Sequence, residues 1–315
     1  KTVLTCIHAG ILTGHGKQHG MAKTLKPETI ENLIREALAI EAEEAQEAGT
    51  VGFMARAMVQ ATMPHKRVPG NEFIRRNGNF TLTMLAPSKI GLPYGNVPRL
   101  LLAWLTTEAV RTKQRELLLG DSLSSFMAEL GFQATGGRHG SITRMKHQTR
   151  RLFSANIQCD YETDNESALM GFRVADKALL WWDAKDPSQP ALWQSSVTLT
   201  QPFFDEVTNN PVPVDMRALK ALKRSPMALD IYSWLTYRMS YLKHTTRLPW
   251  GLLQQQFGAG YPMNARGKAE FKRNFLMQLN KVQAIYPADL ESRTSALILK
   301  PNKPHVRRLV KKMSD

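Results

Sequence analysis

The sequence predicts an α+β fold built from two copies of one helix–strand–helix–helix–hairpin unit, preceded by a partly flexible, helical N-terminal extension. Three observations predict it. Trp104-Leu105-Thr106 returns as Trp234-Leu235-Thr236, an offset of 130, and that offset also relates Leu101 to Ile231, Met145 to Phe275, Thr149 to Leu279 and Leu152 to Val282. Basic and amide positions follow the same offset: Arg138 with Lys268, Gln148 with Gln278, Arg151 with Lys281. Finally, helical and strand-like patterns alternate in the order of a helix-turn-helix with a β-hairpin wing, so the two copies read as tandem winged helices.

The elements follow in order. Residues 1–26 mix Gly, His and Lys without periodicity. A helix is expected from Pro27, with Glu28 and Glu31 in the first turn where negative charge suits the helix dipole, running through the acidic stretch Glu41–Glu47 to Gly49. Val51 to Met63 reads as a second helix, and Phe80–Leu85 alternates as a strand. In the first copy Pro98 opens an apolar helix running to about Arg115, since proline is tolerated in a first turn. A strand Glu116–Leu119, a helix Leu123–Leu130, a glycine-rich loop Gly131–Gly140 and a helix Ile142–Phe153 capped by Ser141 come next. Ala155–Tyr161 and Leu169–Trp182 complete the unit as the wing. In the second copy Ser225–Leu242, Pro249–Phe257 and Lys268–Val282 are the helices, and Ala284–Tyr286 with Ala296–Lys300 form the wing. The domain division is therefore 1–79 for the extension, 80–210 and 211–305 for the two winged helices, and 306–315 for a basic tail.

The chain has 315 residues and a formal net charge of +15, which speaks to partners rather than to fold. No acidic residue lies between Glu129 and Asp160, while Arg138, Arg144, Lys146, Arg150 and Arg151 do. Lys300, Lys303, Arg307, Arg308, Lys311 and Lys312 repeat the bias near the C-terminus. Basic residues gathered on particular elements are the footprint of a nucleic-acid binder. No run reaches the length of a membrane helix and the N-terminus lacks a signal-peptide pattern, so a cytoplasmic location is expected and no membrane partner. The two cysteines, Cys6 and Cys159, are too few for a metal or disulfide framework, and Cys159 reads as a small core residue.

The third helix of each copy carries the predicted chemistry. Ile142, Met145, Thr149, Leu152 and Phe153 form one inward stripe, and Phe271, Phe275, Leu279 and Val282 the other. Opposite them stand Arg144, His147, Gln148 and Arg151 in the first copy, and Arg273, Asn274, Gln278 and Lys281 in the second. Arg fits guanine O6/N7 and Asn or Gln fits adenine N6/N7, so these faces are expected to read bases. Arg138, Lys268, Lys272 and the tail residues Arg307 and Arg308 are expected to hold phosphates, which position without specifying, and Ser141 completes the expected DNA-binding set.

Other chemistries fail on their residues. Gly16-Lys17 is followed by Gln18 and preceded by Ile11 where a phosphate-binding loop needs glycine. His15 and His19 are spaced for helical chelation, but Gly14, Gly16 and Gly20 argue against a helix there. His147 and Arg150 have the spacing of a recombinase pair but lie mid-helix, with Tyr241, Tyr261 and Tyr286 far downstream. The expectation is a non-enzyme without catalytic residues, metal or cofactor, and Trp181-Trp182 reads as core packing.

The segment Gly91-Leu-Pro-Tyr-Gly-Asn-Val-Pro-Arg-Leu-Leu-Leu-Ala-Trp-Leu-Thr-Thr-Glu-Ala-Val-Arg111 resembles plasmid RepA-type replication initiators. So do Gly120-Asp-Ser-Leu-Ser-Ser-Phe-Met127, Thr135-Gly-Gly-Arg138, Pro211 to Ser225 and Ile231 to Ser240, so that the likeness covers roughly residues 80–305. The resemblance implies a bacterial initiator that binds repeated double-stranded iterons at a plasmid origin and helps to open it. It also implies partnership with a host initiator protein and replicative helicase, and a monomer–dimer equilibrium. The first winged helix would serve dimerisation and phosphate contact, the second more of the base reading. A dimeric transcriptional repressor on an inverted operator is the alternative.

Overall fold

The computed structural model describes residues 51–165, 167–180, 188, 195–258 and 260–306. The expected acidic helix, Cys6, the His15/His19 pair, Trp181-Trp182 and the basic tail with Arg307 and Arg308 lie outside them.

The described residues begin with β1 (Val51–Ala55) and a short α1 (Arg56–Gln60), where the sequence reads as a single helix from Val51 to Met63. The apolar run there is strand because it finds a partner late in the chain: β1 pairs antiparallel with β9 (Pro211–Asp215), with Val51 opposite Asp215. Both strands are buried along nearly their whole length, so neither shows the alternation that would have marked it.

A four-stranded antiparallel sheet follows in the order β2 (Glu72–Asn77), β3 (Phe80–Leu85), β5 (Asn156–Glu162), β6 (Ser167–Arg173). Its inner face buries Leu82, Met84, Ile157 and Phe172, together with Cys159, a free thiol.

The two copies then appear as units of the same plan. The first runs α2 (Asn96–Thr112), β4 (Glu116–Leu118), α3 (Leu123–Glu129), α4 (Ser141–Ser154) and, after the β5–β6 hairpin, β7 (Ala175–Leu179) and β8 (Ser196–Leu199). The second runs α7 (Pro226–Met239), β10 (Thr246–Pro249), α8 (Trp250–Phe257), α9 (Ala265–Ile285), β11 (Leu290–Ser292) and β12 (Ala296–Leu299). In each, the first strand pairs with the last and the last with the middle one, giving sheets β4-β8-β7 and β10-β12-β11. Between the units lie α5 (Gln201–Asn209), β9 and α6 (Met216–Leu222).

Two expectations about the hairpins are corrected. In the first copy the hairpin read from Ala155–Tyr161 and Leu169–Trp182 forms in part, as β5 with β6, but it joins the separate sheet of β2 and β3. The strand that returns to β4 is β8, hydrogen-bonded through Leu117 to Val197. The reading failed because Leu169–Leu179 is one strand-like run in sequence, yet the chain passes at Val174 from one sheet to another. In the second copy Ala284 and Ile285 belong to the end of α9, whose core-facing period continues through Val282 and Ile285, and the hairpin starts only at Leu290.

The helix starts are set by capping. Ser225 Oγ accepts from Ala228 N at 3.2 Å with Pro226 as the first helical residue, and Asn264 Oδ1 accepts from Gly267 N at 2.8 Å. Ser141 does not cap α4 as expected: the helix begins at Ser141 itself, after Gly140. Its side chain turns back into the glycine loop, accepting from Thr135 N at 2.9 Å and donating to the Gln133 carbonyl.

The first helix of each unit packs on its second helix in a similar way. Trp104 meets Phe126 edge-on at 5.1 Å and Trp234 meets Phe257 at 5.5 Å, so each first helix is keyed to its second helix by the same pair of residue types. Leu101 and Ile231 are both completely buried. The two first helices α2 and α7 also pack against each other, where Arg99 and Asp230 meet.

Candidate nucleic-acid interface

The inward stripes of both third helices are where the 3.6-residue period puts them. Ile142, Met145, Thr149 and Leu152 are buried on α4, with Phe153 half-buried, and Phe271, Phe275, Leu279 and Val282 are buried on α9. Opposite them the surface is basic. Arg138, Arg144, Lys146, His147 and Arg150 are exposed on or beside α4, as are Arg266, Lys268 and Arg273 on α9. Among the described residues none of these seven Arg and Lys side chains makes an ion pair, although surface cations commonly find one.

The polar faces expected to point outward are only partly outward. Gln148 is buried at 7 % exposure and its Oε1 accepts from the backbone of Tyr94 at 2.9 Å. Arg151 is half-buried, donates to the Leu92 carbonyl at 3.1 Å and lies over the Tyr94 ring at 5.5 Å. Together they hold the Leu92–Tyr94 turn that leads into α2. On α9, Gln278 is buried at 6 %. Its Nε2 donates to Asn274 Oδ1 at 3.4 Å and its Oε1 accepts from Lys281 Nζ at 2.9 Å. Asn274 in turn donates to the Tyr261 hydroxyl at 2.6 Å. This line of polar groups closes the flank of α9, and burial pushes the Lys281 ammonium below its ordinary value.

Helix geometry explains the correction. At 3.6 residues per turn Gln278 stands roughly 140° around the helix from Arg273, and so on the flank of the Phe271–Phe275 stripe. The side chains that share the outward face with Arg273 are Arg266, Ala269 and Glu270, which line one open surface depression. Sequence reading missed Arg266 because it began the helix at Lys268, and it passed over Glu270, which lies inside the expected helix, because it sought basic and amide side chains. The Asn264 cap and the glycine at 267 were the signals that the helix starts earlier.

Lys272 has a structural engagement as well. Its Nζ donates to the Arg293 and Thr294 carbonyls at 2.9 and 3.2 Å and sits over the Trp250 ring at 4.9 Å. It thereby fastens the exposed β11–β12 turn beside α9. Glu291 and Arg293 pair within that turn at 2.8 Å.

The arrangement offers two basic helix faces, each attached to a three-stranded sheet, and this is chemistry for a polyanion. Among the described residues no cluster of His, Cys, Asp and Glu could hold a metal ion, and no helix is long and apolar enough to cross a membrane.

Comparison with known proteins places this architecture. The family model described as plasmid encoded RepA protein matches residues 92–249. No curated protein matches. Among solved structures, a selenomethionine derivative of domains 2 and 3 of RctB is similar, with a TM-score of 0.52 at 11% identity, covering 78% of this chain and 99% of that one. A second structure of RctB domains 2–3 gives 0.48 at 13% identity, over 77% of this chain and 94% of that one.

Proposed function

The chain belongs to the family of plasmid-encoded RepA proteins, and from that premise we propose that it is a replication initiator which binds double-stranded DNA at a plasmid origin through two winged helices. The observation that carries the reading is the pair of third helices, α4 and α9, each presenting outward Arg and Lys side chains without an ion-pair partner among the described residues while burying an apolar stripe. A helix of that kind fits the major groove, and the hairpin beside it reaches the neighbouring backbone. On this reading α4 with Arg138, Arg144, Lys146 and Arg150 serves mainly the phosphates. The second unit, with Arg266, Lys268 and Arg273, supplies more of the base reading. Gln148, Arg151, Asn274, Gln278, Lys281 and Lys272 act through the fold, holding the elements in place.

The initiator reading extends to repeated iterons bound by a single chain, opening of adjacent duplex, and recruitment of a host initiator protein and helicase in the bacterial cytoplasm. A dimer in equilibrium with the binding monomer belongs to the same reading. The protein needs no cofactor and no covalent chemistry of its own for these tasks, so supercoiled plasmid is expected to remain unnicked on incubation with it.

Selection of bound sequences from a random duplex pool, followed by footprinting of the best clone, tests the proposal. One asymmetric motif of about two helical turns bound by one chain supports it. An inverted repeat bound by two chains assigns the protein to operator-binding repressors instead. Failure to enrich any motif removes sequence-specific binding altogether.

A further inference from the structure

The outward face of α9 carries a charge that the DNA-binding reading does not by itself explain. Arg266, Ala269, Glu270 and Arg273 occupy successive turns of one face, all exposed, around one surface depression. Glu270 stands one turn from both arginines, the spacings at which helix side chains usually pair. Among the described residues it bonds to neither of them and to no other cation. An unpaired carboxylate in the middle of a surface built for phosphates repels the ligand, unless a hydrogen-bond donor of the ligand meets it.

The face is also particular to the second unit. α4 spans 14 residues and α9 spans 21. At the repeat offset Ala265 corresponds to Thr135 and Glu270 to Gly140, so the start of α9 replaces the glycine loop that precedes α4. The extra helix is anchored rather than frayed. Asn264 caps it, and Gly267 lies so close to the Pro262 turn that a Cβ there would come within 2.0 Å of the Pro262 carbonyl oxygen. The Tyr261 hydroxyl is held by Asn274, two turns beyond Gly267.

We propose that Glu270, flanked by Arg266 and Arg273, is a specificity-determining residue that accepts a hydrogen bond from the N4 amino group of a cytosine in the major groove, within a G·C-rich step of the bound site. This rests on the proposed DNA-binding function and names the bases its second unit reads. Of the donors in the major groove, the adenine N6 amino group lies beside the N7 acceptor, which repels a carboxylate. The cytosine N4 amino group has the guanine O6 on one side but a C–H on the other, which leaves a carboxylate one approach free of an acceptor, whereas adenine N6 lies between two acceptors, N7 and the thymine O4. The arginines one turn to either side are matched to guanine O6 and N7, the acceptors presented by the partner base or the adjacent pair. Ala269 leaves room between them for close approach.

The test uses the full chain and a selected duplex, with Glu270→Gln as the variant. The wild type is expected to select a motif containing a cytosine beside guanines whose N7 atoms are shielded from methylation. Glu270→Gln is expected to lose discrimination for that cytosine by about tenfold, with adenine becoming acceptable because an amide matches adenine N6/N7. Its affinity for random duplex rises, because one phosphate-repelling charge is gone. Arg273→Gln in parallel loses a guanine N7 protection and keeps the cytosine preference. Discrimination that falls while random binding tightens separates base reading from a general charge effect. If Glu270→Gln tightens both duplexes equally and leaves every base preference unchanged, the inference is overturned while sequence-specific binding stands. If no motif is enriched with the wild type, both fall together.

Discussion

Arg99 grips Asp230 with two hydrogen bonds of 2.7 Å, one from Nε and one from Nη2, and so ties the first helix of one copy to the first helix of the other. Both side chains are almost wholly buried, at 2 % and 6 % exposure. The remaining donors of Arg99 reach the carbonyls of Met63, Pro64 and Gly95, and His65 Nε2 meets the second Asp230 oxygen at 2.7 Å. Burial alone would raise the Asp230 carboxyl. The Arg99 charge and the hydrogen bonds from His65 and Arg99 outweigh it and hold the group below its ordinary value. The relative placement of α4 and α9 depends on this joint.

Removing one partner leaves the other as a buried uncompensated charge. Asp230→Ala or Arg99→Ala is therefore expected to cost about 3–5 kcal/mol of unfolding free energy. Arg99→Met combined with Asp230→Leu is expected to cost less than either single change, because the paired desolvation penalty disappears with the pair. Urea denaturation of the wild type, Arg99→Met, Asp230→Leu and the double variant as a double-mutant cycle reads the coupling. Additive losses would show that the two side chains do not act as a unit.

The same joint gives stability a pH dependence. Burial lowers His65 from 6.5 to about 4, with the Asp230 hydrogen bond opposing. The unfolded chain then binds a proton that the folded chain refuses between those values. The sign follows: stability is fully present above about pH 6.5 and is lost as pH falls toward about 4. The loss from this group is on the order of 3 kcal/mol. His305, buried against Tyr232 at 2.7 Å, is also lowered by burial and adds in the same direction. The midpoint of urea unfolding measured from pH 7 to pH 4 should fall for the wild type and fall less for His65→Gln. Identical slopes for the two proteins would remove His65 from the account.

What the sequence made legible here was local and periodic. The stripe Phe271–Phe275–Leu279–Val282 and the Trp104/Trp234 equivalence were readable because a helix imposes its period on its own neighbours. The pairing of Val51–Ala55 with Pro211–Asp215 was not, since nothing local distinguishes a buried strand from a short apolar helix. The wing of the first copy was misplaced because β5 chose β3 over β4, a matter of register between distant segments. Among the site residues, Gln148 and Gln278 have the right chemistry for adenine, but tertiary partners had already taken their amides. One accepts from a backbone amide 54 positions away and the other sits within the Asn274–Lys281 line.

Arg273 and Gln278 should therefore separate in function, although both were expected to read bases. Arg273→Ala is expected to cost about 1–3 kcal/mol of binding on the selected site and little on random duplex. Gln278→Ala strips a buried amide from the Asn274–Lys281 line. It is expected to cost about 1–3 kcal/mol of folding stability and to weaken both duplexes alike. Titrations of each variant against the two duplexes, beside a thermal melt, check this. A site-specific loss with an unchanged melting temperature for Gln278→Ala would return that residue to the reading face.

Gly267 sets where α9 begins. Its φ is ordinary, so glycine is required by space and not by conformation. A Cβ would stand 2.0 Å from the Pro262 carbonyl oxygen and 2.8 Å from its carbon, and backbone atoms cannot swing aside as a flexible side chain would. Gly267→Ala must push the first turn of α9 away from the Pro262 turn and disturb the Asn264 cap with it. The expected loss is about 2–3 kcal/mol of stability, the upper range of overpacking. Discrimination between selected and random duplex should fall even at temperatures where the protein remains folded, because Arg266 and Glu270 ride on that turn. Gly251 provides the contrast. It lies within α8 with nothing inside 4 Å of a Cβ, and Gly251→Ala should stabilise by about 0.5–1 kcal/mol and leave discrimination untouched. Equal melting temperatures for the two variants would show that the Pro262 turn yields freely, and that the start of α9 is not fixed by this packing.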